Sequence, residues 1–512
     1  MENSDHSLSV KTALGGLRKG FNSGVTKSYE SRVSILKQLK QSIQKHASEM
    51  QAALRKDLGR NEFLANLSEI EQLTGNIDYH LKNLKTWMQP ETRDLPALLA
   101  PGSAYVWKQP YGVALVMGSW NFPFATTLNP VIGALAAGNC VCIKPSEISS
   151  STSQVMQAIS EEMPQEIMRC LQGGADLAVA LTSEKWDVIA FTGSPEKGKL
   201  VAEAAAKNLT PVLLELGGKN PAFVDENVDL ETAVMRILQG RFLNNGQLCL
   251  SPEVVFVKEN KLKQFVDCCK KVLTQFYGED PSKSDDYGRI VNEFHTKRVL
   301  GLIENSGGEV LVGGRGDPKE KFIEPTIILK PDLSSSISTT EIFGPVLLVH
   351  TYSQVEDFVS FVNERERPLA LYYFGNNSKN KEKIKQETTS GHFSSNECAL
   401  NYTCYDIPFG GVGNSGISMM FSKNGFDAMS HQKSVLEKGR YNGYPVSLRY
   451  PPYTSQKTKT FYKVKALTNF TVKELKCGLK WVAGVATLSF VSWKFGLLDL
   501  AVAQVSSFSN YL

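Results

Sequence analysis

Val113-Ala-Leu-Val-Met117 is a short apolar run that ends in Gly118-Ser119-Trp120-Asn121-Phe122-Pro123-Phe124. The chain then continues through a stretch of helical length, 126–137, into a second apolar run, Cys140-Val-Cys-Ile143, closed by Lys144-Pro145-Ser146-Glu147. Apolar runs bounded by Gly, Pro and Asn and separated by a helix-length segment read as a strand–helix–strand unit of a parallel sheet. The rhythm repeats at Val188–Phe191, Val212–Leu214 and Ala222–Val224, with helical stretches at 150–160 and 196–207. The expected fold class is α/β, with helices on both faces of the sheet and ligands at the C-terminal ends of its strands.

On the N-terminal side, residues 25–90 read as helices. Val33, Leu36, Leu39 and Ile43 keep one apolar face, and Leu64, Leu67, Ile70 and Leu73 do so again. On the C-terminal side a second alternating block runs from about 230 to 395, with a helical stretch at 230–243, strand candidates Val254–Val257 and Val346–Thr351, and a helical pattern over 354–365. A domain boundary is expected near 215. Beyond 450 the text changes to Tyr450-Pro451-Pro452, a lysine-rich linker and an apolar tail at 481–505.

Composition narrows the class further. The 512 residues are 42% hydrophobic and 21% charged, with 40 Gly and 22 Pro, which excludes a collagen, a multi-span membrane protein and wholesale disorder. The net charge of +4 is localised: 451–480 holds seven Lys against Glu474 and carries +6, 481–512 is neutral, and the first 450 residues carry −2. No basic footprint for nucleic acid remains in the body of the chain. Nine Cys without a C-x-x-C pair, and no apolar signal core near Met1, predict reduced thiols in a cytosol-facing compartment and no metal site.

Two phosphate-binding patterns are weak on inspection. Gly193-Ser-Pro-Glu-Lys-Gly198-Lys199 is followed by Leu200, where a P-loop needs Ser or Thr for Mg²⁺. Gly411-Val-Gly413-Asn-Ser-Gly416 follows Pro408-Phe409-Gly410 instead of a first strand, and reads as a tight glycine turn. More informative are the strings after the apolar runs: Ser119–Phe124, Lys144–Glu147, Phe191-Thr192-Gly193-Ser194 and Glu215-Leu216-Gly217-Gly218-Lys219. A parallel sheet brings these to one edge, where a cofactor would lie. Cys249 sits in a loop, Asn244-Asn-Gly-Gln-Leu-Cys249-Leu-Ser-Pro252, which leaves its sulfur reachable, whereas Cys140 and Cys142 lie in an apolar strand.

Those strings, with Gly246-Gln247-Leu248-Cys249, Glu341-Ile342-Phe343-Gly344-Pro345 and Pro408-Phe409-Gly410-Gly411-Val412-Gly413, resemble the aldehyde dehydrogenase superfamily in order and spacing. The likeness covers about residues 20–455. The short N-terminus, Leu448-Arg449-Tyr450-Pro451-Pro452 and the apolar tail are most similar to its class 3 branch and, within it, to fatty aldehyde dehydrogenases. The resemblance implies a Rossmann-type parallel-sheet cofactor domain with N-terminal helices (1–214), an α/β catalytic domain (215–395), a small bridging or oligomerisation segment (396–450), a basic linker (451–480) and a candidate membrane anchor (481–505).

It also implies the chemistry. Cys249 would attack the aldehyde carbon as thiolate, because the thiol is a poor nucleophile. The Asn121 amide and the Cys249 backbone N–H would hold the resulting oxyanion; losing one such donor typically costs roughly 10²- to 10³-fold in rate. After hydride leaves for the nicotinamide, Glu215 would activate the water that cleaves the thioester, its apolar setting raising its pKa toward the working pH. Lys144 and Glu147 would bind the adenosine ribose, Gly193, Ser194 and Gly198 would let a helix N-terminus approach the pyrophosphate, and Glu341 and Phe343 would clamp the nicotinamide ribose and ring. A Glu facing a 2′-phosphate is repulsive, so NAD is expected, with NADP as the alternative cofactor.

Three features depart from the family pattern: Leu248 precedes the Cys where Thr is common, Asn220 replaces Ser, and 397–406 differs at a segment resembling the substrate entrance. The implied substrates are medium- to long-chain or aromatic aldehydes, oxidised to acids by a homodimer. The alternatives are an acylating enzyme that passes the thioester to coenzyme A, or an inactive membrane-bound scaffold. For the tail, an uncharged helix over 481–493 spans only about 20 Å, whereas extending it to Val505 buries Lys494 and Asp499. The upstream lysines favour attachment to an anionic leaflet, with the active site facing the cytosol and the endoplasmic reticulum implied by resemblance.

Overall fold

The computed structural model describes residues 2–96, 99, 101–440, 442–443, 446–467 and 474. The apolar tail at 481–505 lies outside them. The chain divides into two compact units, the first comprising Met1–Met88 and Gln109–His431, the second Gln89–Lys108 and Gln432–Leu512.

The first unit contains two parallel-rich sheets. One has six strands in the order Gly416–Ile417, Val212–Leu216, Val188–Gly193, Val113–Met117, Cys140–Lys144 and Met168–Cys170. All of these run parallel except Gly416–Ile417. The apolar run at 113–117 is fully buried because helices cover both faces of the sheet. The second sheet has seven strands, ordered Glu309–Val312, Thr326–Leu329, Val346–Tyr352, Pro252–Lys258, Asn220–Val224, Ala370–Phe374 and His392–Ser395. The run Ala222–Val224 therefore belongs to the strand Asn220–Val224 of the second sheet, which starts after a three-residue turn from Leu216, the end of its strand in the first.

The order of the first sheet decides where a ligand goes. From Val113–Met117 the chain first adds strands on one side, then returns to add Val188–Gly193 on the other. Such a reversal leaves a crevice at the C-terminal strand ends. Ser119–Asn121 and Gly193–Ser194 emerge on its two sides.

The N-terminal helices include Tyr29–Lys45, Ala47–Leu58 and Glu71–Trp87, with Leu36, Leu39 and Ile43 buried as their period requires. The second predicted face is altered. Asn66–Ile70 forms a π-turn, which rotates the helix so that Leu67 is 50% exposed and Glu69 is buried. A π-turn adds a residue per turn and breaks the 3.6-residue stripe.

In the second unit, Glu91–Arg93, Gly102–Pro110 and Ser430–Lys438 form a three-stranded sheet, stitched by Ser103 and Tyr105 hydroxyls donating to the Glu437 carboxylate at 3.2 and 3.1 Å. A helix follows at Ser455–Leu467. Among the described residues no helix is long and apolar enough to cross a membrane.

Candidate active site

Cys249 is presented by a backbone that few residue types tolerate. The helix Leu230–Phe242 runs into Asn244, Asn245 and Gly246 with φ of +51°, +55° and +70°, a left-handed succession that Asn and Gly adopt most readily. A Cβ at Gly246 would stand 2.3 Å from the Gly344 carbonyl oxygen, so only glycine lets this loop pass the one after Glu341. Gln247 then pins the turn: its amide donates to the Asn244 and Arg289 carbonyls at 2.9 and 3.0 Å and accepts from Val291 N–H at 3.0 Å. Asn220 donates to the Cys249 carbonyl at 2.6 Å, and the Tyr372 hydroxyl to that of Leu250 at 2.5 Å. The sulfur is thus carried on a loop braced by side-chain hydrogen bonds at Asn244, Gln247, Cys249 and Leu250.

Asn121 approaches from the first sheet. Its Nδ2 donates to the Gln247 carbonyl at 3.0 Å, and its Oδ1 accepts from the Ser119 hydroxyl at 2.5 Å, which fixes the amide orientation and leaves a second Nδ2 hydrogen free. Its own carbonyl is held by Arg60 at 2.7 Å and Asn244 at 2.9 Å. Arg60 in turn pairs with Glu69 at 2.8 Å, the residue the π-turn rotated inward.

Glu215 lies in the strand Val212–Leu216, across from Gly416 in the antiparallel register, and is 4% exposed. A Cβ at Gly416 would meet the Leu214 carbonyl oxygen at 2.6 Å, so the glycine turn at 411–416 serves close approach to this strand. Burial pushes the Glu215 carboxyl up to about 7, against the opposing effect of a hydrogen bond to the Cys249 thiol. Its Oε1 is buried without a hydrogen-bond partner. The thiol of Cys249 is pushed well above its ordinary value by burial first, then by the Glu215 and Glu341 carboxyls. At rest it is protonated, with a carboxyl group beside it titrating near neutrality.

Asn121, Gly193, Ser194, Glu215, Cys249, Glu341 and Phe343 all line one cavity of about 800 Å³. Lys144, Glu147 and Gly198 are not among its lining residues. Lys144 ends the strand neighbouring Val113–Met117, and its Nζ pairs with Glu147 at 2.8 Å. Gly198 serves packing, since a Cβ there would meet Leu216 Cδ2 at 2.6 Å. Asn121, Glu215 and Cys249 also border a second, apolar cavity of about 50 Å³, walled by Phe122, Leu248, Leu250, Phe409, Met420 and Phe421. Asn121, Glu215 and Cys249 therefore stand at the junction of a large cavity of mixed polar and apolar lining and a small apolar one.

The large cavity suits a dinucleotide. It opens at the reversal of the first sheet, beside the helix Pro195–Ala206, whose N-cap Ser194 accepts from Lys197 N–H at 3.4 Å. Gly217 leaves room for Glu341, whose Oε2 would stand 2.0 Å from a Cβ at 217. Trp120 packs edge-on against Phe343 and tilts against His295, both at 5.2 Å. Burial, with Arg298 nearby, pulls His295 down to about 4, so this aromatic wall is uncharged at neutral pH.

Sequence reasoning missed four supporting residues: Arg60, Glu69, Arg241 and Glu253. Each is a charged side chain buried beneath the site. Glu253 alone left a signal, as an acid in the otherwise apolar strand Pro252–Lys258.

Two sheets, a crevice at a strand reversal and a buried Cys–Glu pair on one cavity define the class of a dinucleotide-dependent oxidoreductase. Residues 5–435 match the aldehyde dehydrogenase family model. The dimeric NADP-preferring aldehyde dehydrogenase of Canis lupus familiaris is 39% identical, over 86% of this chain and 97% of that one. Aldehyde dehydrogenase family 3 member H1 of Arabidopsis thaliana is 39% identical, over 90% and 95%. Among solved structures, the substrate-bound aldehyde dehydrogenase AldH of Staphylococcus aureus is 34% identical with a TM-score of 0.85, covering 88% of this chain and 99% of that one. The Mycobacterium tuberculosis aldehyde dehydrogenase complexed with NAD⁺ is 26% identical with a TM-score of 0.77, covering 85% and 91%. The chain belongs to the aldehyde dehydrogenase family and is an NAD(P)-dependent enzyme of aldehyde oxidation.

Proposed function

We propose that Cys249, Glu215 and Asn121 carry the reaction, and that the substrates are apolar aldehydes, medium- to long-chain aliphatic or aromatic. The observation that supports this is their shared position between the two cavities. An aldehyde entering from the apolar side meets Cys249 before it meets the dinucleotide space.

In this reading Cys249 gives its proton to Glu215, whose carboxyl titrates near 7 and already hydrogen-bonds to the thiol. The thiolate adds to the carbonyl carbon. The free Nδ2 hydrogen of Asn121 and the Cys249 backbone N–H stabilise the alkoxide, the amide needing no reorientation because Ser119 and Gln247 hold it. Bound NAD(P) supplies the acceptor for the hydride leaving that carbon, which turns the adduct into a thioester. Glu215, having released the Cys249 proton to solvent through the large cavity it lines and with Oε1 uncommitted, takes a proton from water as it attacks the acyl carbon, and Cys249 departs as thiolate. Gly193, Ser194, Glu341 and Phe343 hold the dinucleotide, with Lys144 and Glu147 at the adenosine ribose. NAD is the proposed cofactor, with NADP also accepted, a relative being named NADP-preferring.

The test is a series of saturated aldehydes of graded length with NAD, following the absorbance of the reduced dinucleotide, with coenzyme A included or omitted. Turnover without coenzyme A, and a kcat/KM that rises with chain length, are expected. Strict dependence on coenzyme A would replace this reading with the acylating one.

The chain is further proposed to act as a homodimer, as the word dimeric in its relatives' name suggests, and to attach to an anionic membrane surface through its tail. Supporting the second are the lysines at 457, 459, 463 and 465, on and around the helix Ser455–Leu467, and the uncharged run 481–493 beyond it. The catalytic domain would then face the cytosol, with the endoplasmic reticulum as the membrane. Vesicles containing phosphatidylserine are expected to sediment the full chain but not a chain ending at Tyr450. Equal sedimentation would remove the tail from this role.

A further inference from the structure

Phe343 has a strained backbone, with φ of +48°, in the left-handed region that aromatic residues seldom occupy. Such a conformation persists only where its surroundings over-determine it. Here three charged side chains hold the adjoining peptides. Glu253 Oε1 accepts from Ile342 N–H at 2.8 Å and Phe343 N–H at 3.1 Å, while Oε2 lies 3.0 Å from the same Ile342 nitrogen. Arg298 donates to the Ile342 carbonyl at 2.7 Å, and Arg241 donates to that of Gly344.

Glu253 is itself fixed. Its side chain is 3% exposed, with Lys219 Nζ at 3.0 Å from Oε2 and Arg241 Nη1 at 3.6 Å from Oε1. Burial pushes its carboxyl up, but the two cations and two amide donors outweigh burial and keep it below the ordinary range, hence ionised. It projects from the strand Pro252–Lys258, which begins three residues after Cys249. Arg241, in the last turn of the helix before the nucleophile loop, also donates to Ser251 at 3.0 Å.

We propose that Glu253 is a positioning residue: its carboxylate holds the Ile342–Phe343 backbone so that Glu341 and Phe343 face the dinucleotide, and it does so from the strand that follows the nucleophile loop. One anion thereby registers the cofactor-binding segment against Cys249. This rests on the reading that Glu341 and Phe343 contact the dinucleotide.

A purely structural Glu253 would lower stability without separating the kinetic constants of the two substrates. For the folded full-length Glu253→Gln, the KM for NAD is expected to rise about tenfold or more, while the KM for aldehyde stays within about twofold, since hydrogen bonds to a charged acceptor are lost only on the dinucleotide side. Alkylation of Cys249 by iodoacetamide without NAD should keep its wild-type rate. Glu253→Asp, which retains the charge, should recover part of the loss. If Glu253→Gln does not fold, Glu253→Asp carries the test: its shorter arm should still raise the KM for NAD, by less, with the KM for aldehyde unchanged. Glu341→Gln tests the underlying reading separately. A raised KM for NAD in Glu341→Gln with an unchanged one in the Glu253 variants would overturn the inference alone. An unchanged KM for NAD in Glu341→Gln would overturn the reading and the inference with it.

Discussion

Cys249→Ala is expected to lower aldehyde oxidation by at least ~10⁴-fold, the scale on which removing a covalent nucleophile acts. No neighbouring thiol can substitute. Among the described residues, Cys140 and Cys142 are fully buried in a strand, and burial pushes both thiols up to about 12. The apolar cavity holds no other nucleophilic sulfur on its wall. Because Ala keeps the backbone N–H, and because the loop is held through the Cys249 and Leu250 carbonyls, the fold and the dinucleotide cavity should persist. Titration of the variant with NAD, read by quenching of tryptophan fluorescence, should give a dissociation constant near that of the wild type. A variant that kept even a hundredth of normal turnover would remove Cys249 from the reaction.

Glu215→Gln should separate the two halves of turnover. General-base catalysis contributes roughly 10²- to 10⁴-fold, so steady-state oxidation should fall by that factor. The fall should come from water attack: with NAD and aldehyde present, mass spectrometry of the intact protein should show an acyl adduct that accumulates. In the wild type, turnover should rise with pH through about 7, as the Glu215 carboxyl ionises, and the variant should lose this limb. A normal steady-state rate would exclude Glu215 as the base.

The same substitution bears on stability. Burial raises the folded-state carboxyl from 4.5 to about 7, so the folded chain binds this proton more tightly than the unfolded one. The contribution is fully present below about 4.5 and is lost as pH rises through about 7, a difference of about 3 kcal/mol. Glu215→Gln should therefore melt at higher temperature than the wild type at pH 8, with the gap shrinking at pH 5. An equal gap at both pH values would show that the carboxyl is not desolvated.

Much of the fold was legible because buried parallel strands are nearly continuous apolar runs. Val113–Met117 was read to its observed ends, and Cys140–Ile143 and Val346–Thr351 to within one residue. The N-terminal face was misread at Leu67 because a π-turn leaves no trace in a 3.6-residue pattern. Of the site, the residues at strand ends and in the Cys249 loop were accessible, since special backbone and reactive groups concentrate there. Glu253 and Arg241 were not. A buried ion pair looks like surface charge until its partners are known, and the backbone groups that Glu253 and Arg241 hold lie about 90 to 100 residues along the chain, at Phe343 and Gly344.

The sequence by itself determined the α/β alternation, the placing of Cys249 in a loop and the carboxylate beside an apolar run, because each depends on neighbours along the chain. Only the tertiary structure decided that Asn121 and Glu215 flank Cys249 between two cavities, and that one buried anion braces the strained backbone at Phe343. Those facts depend on which distant segments pack together. Desolvation and close approach, the effects that set proton affinities and backbone strain, exist only once the packing has formed.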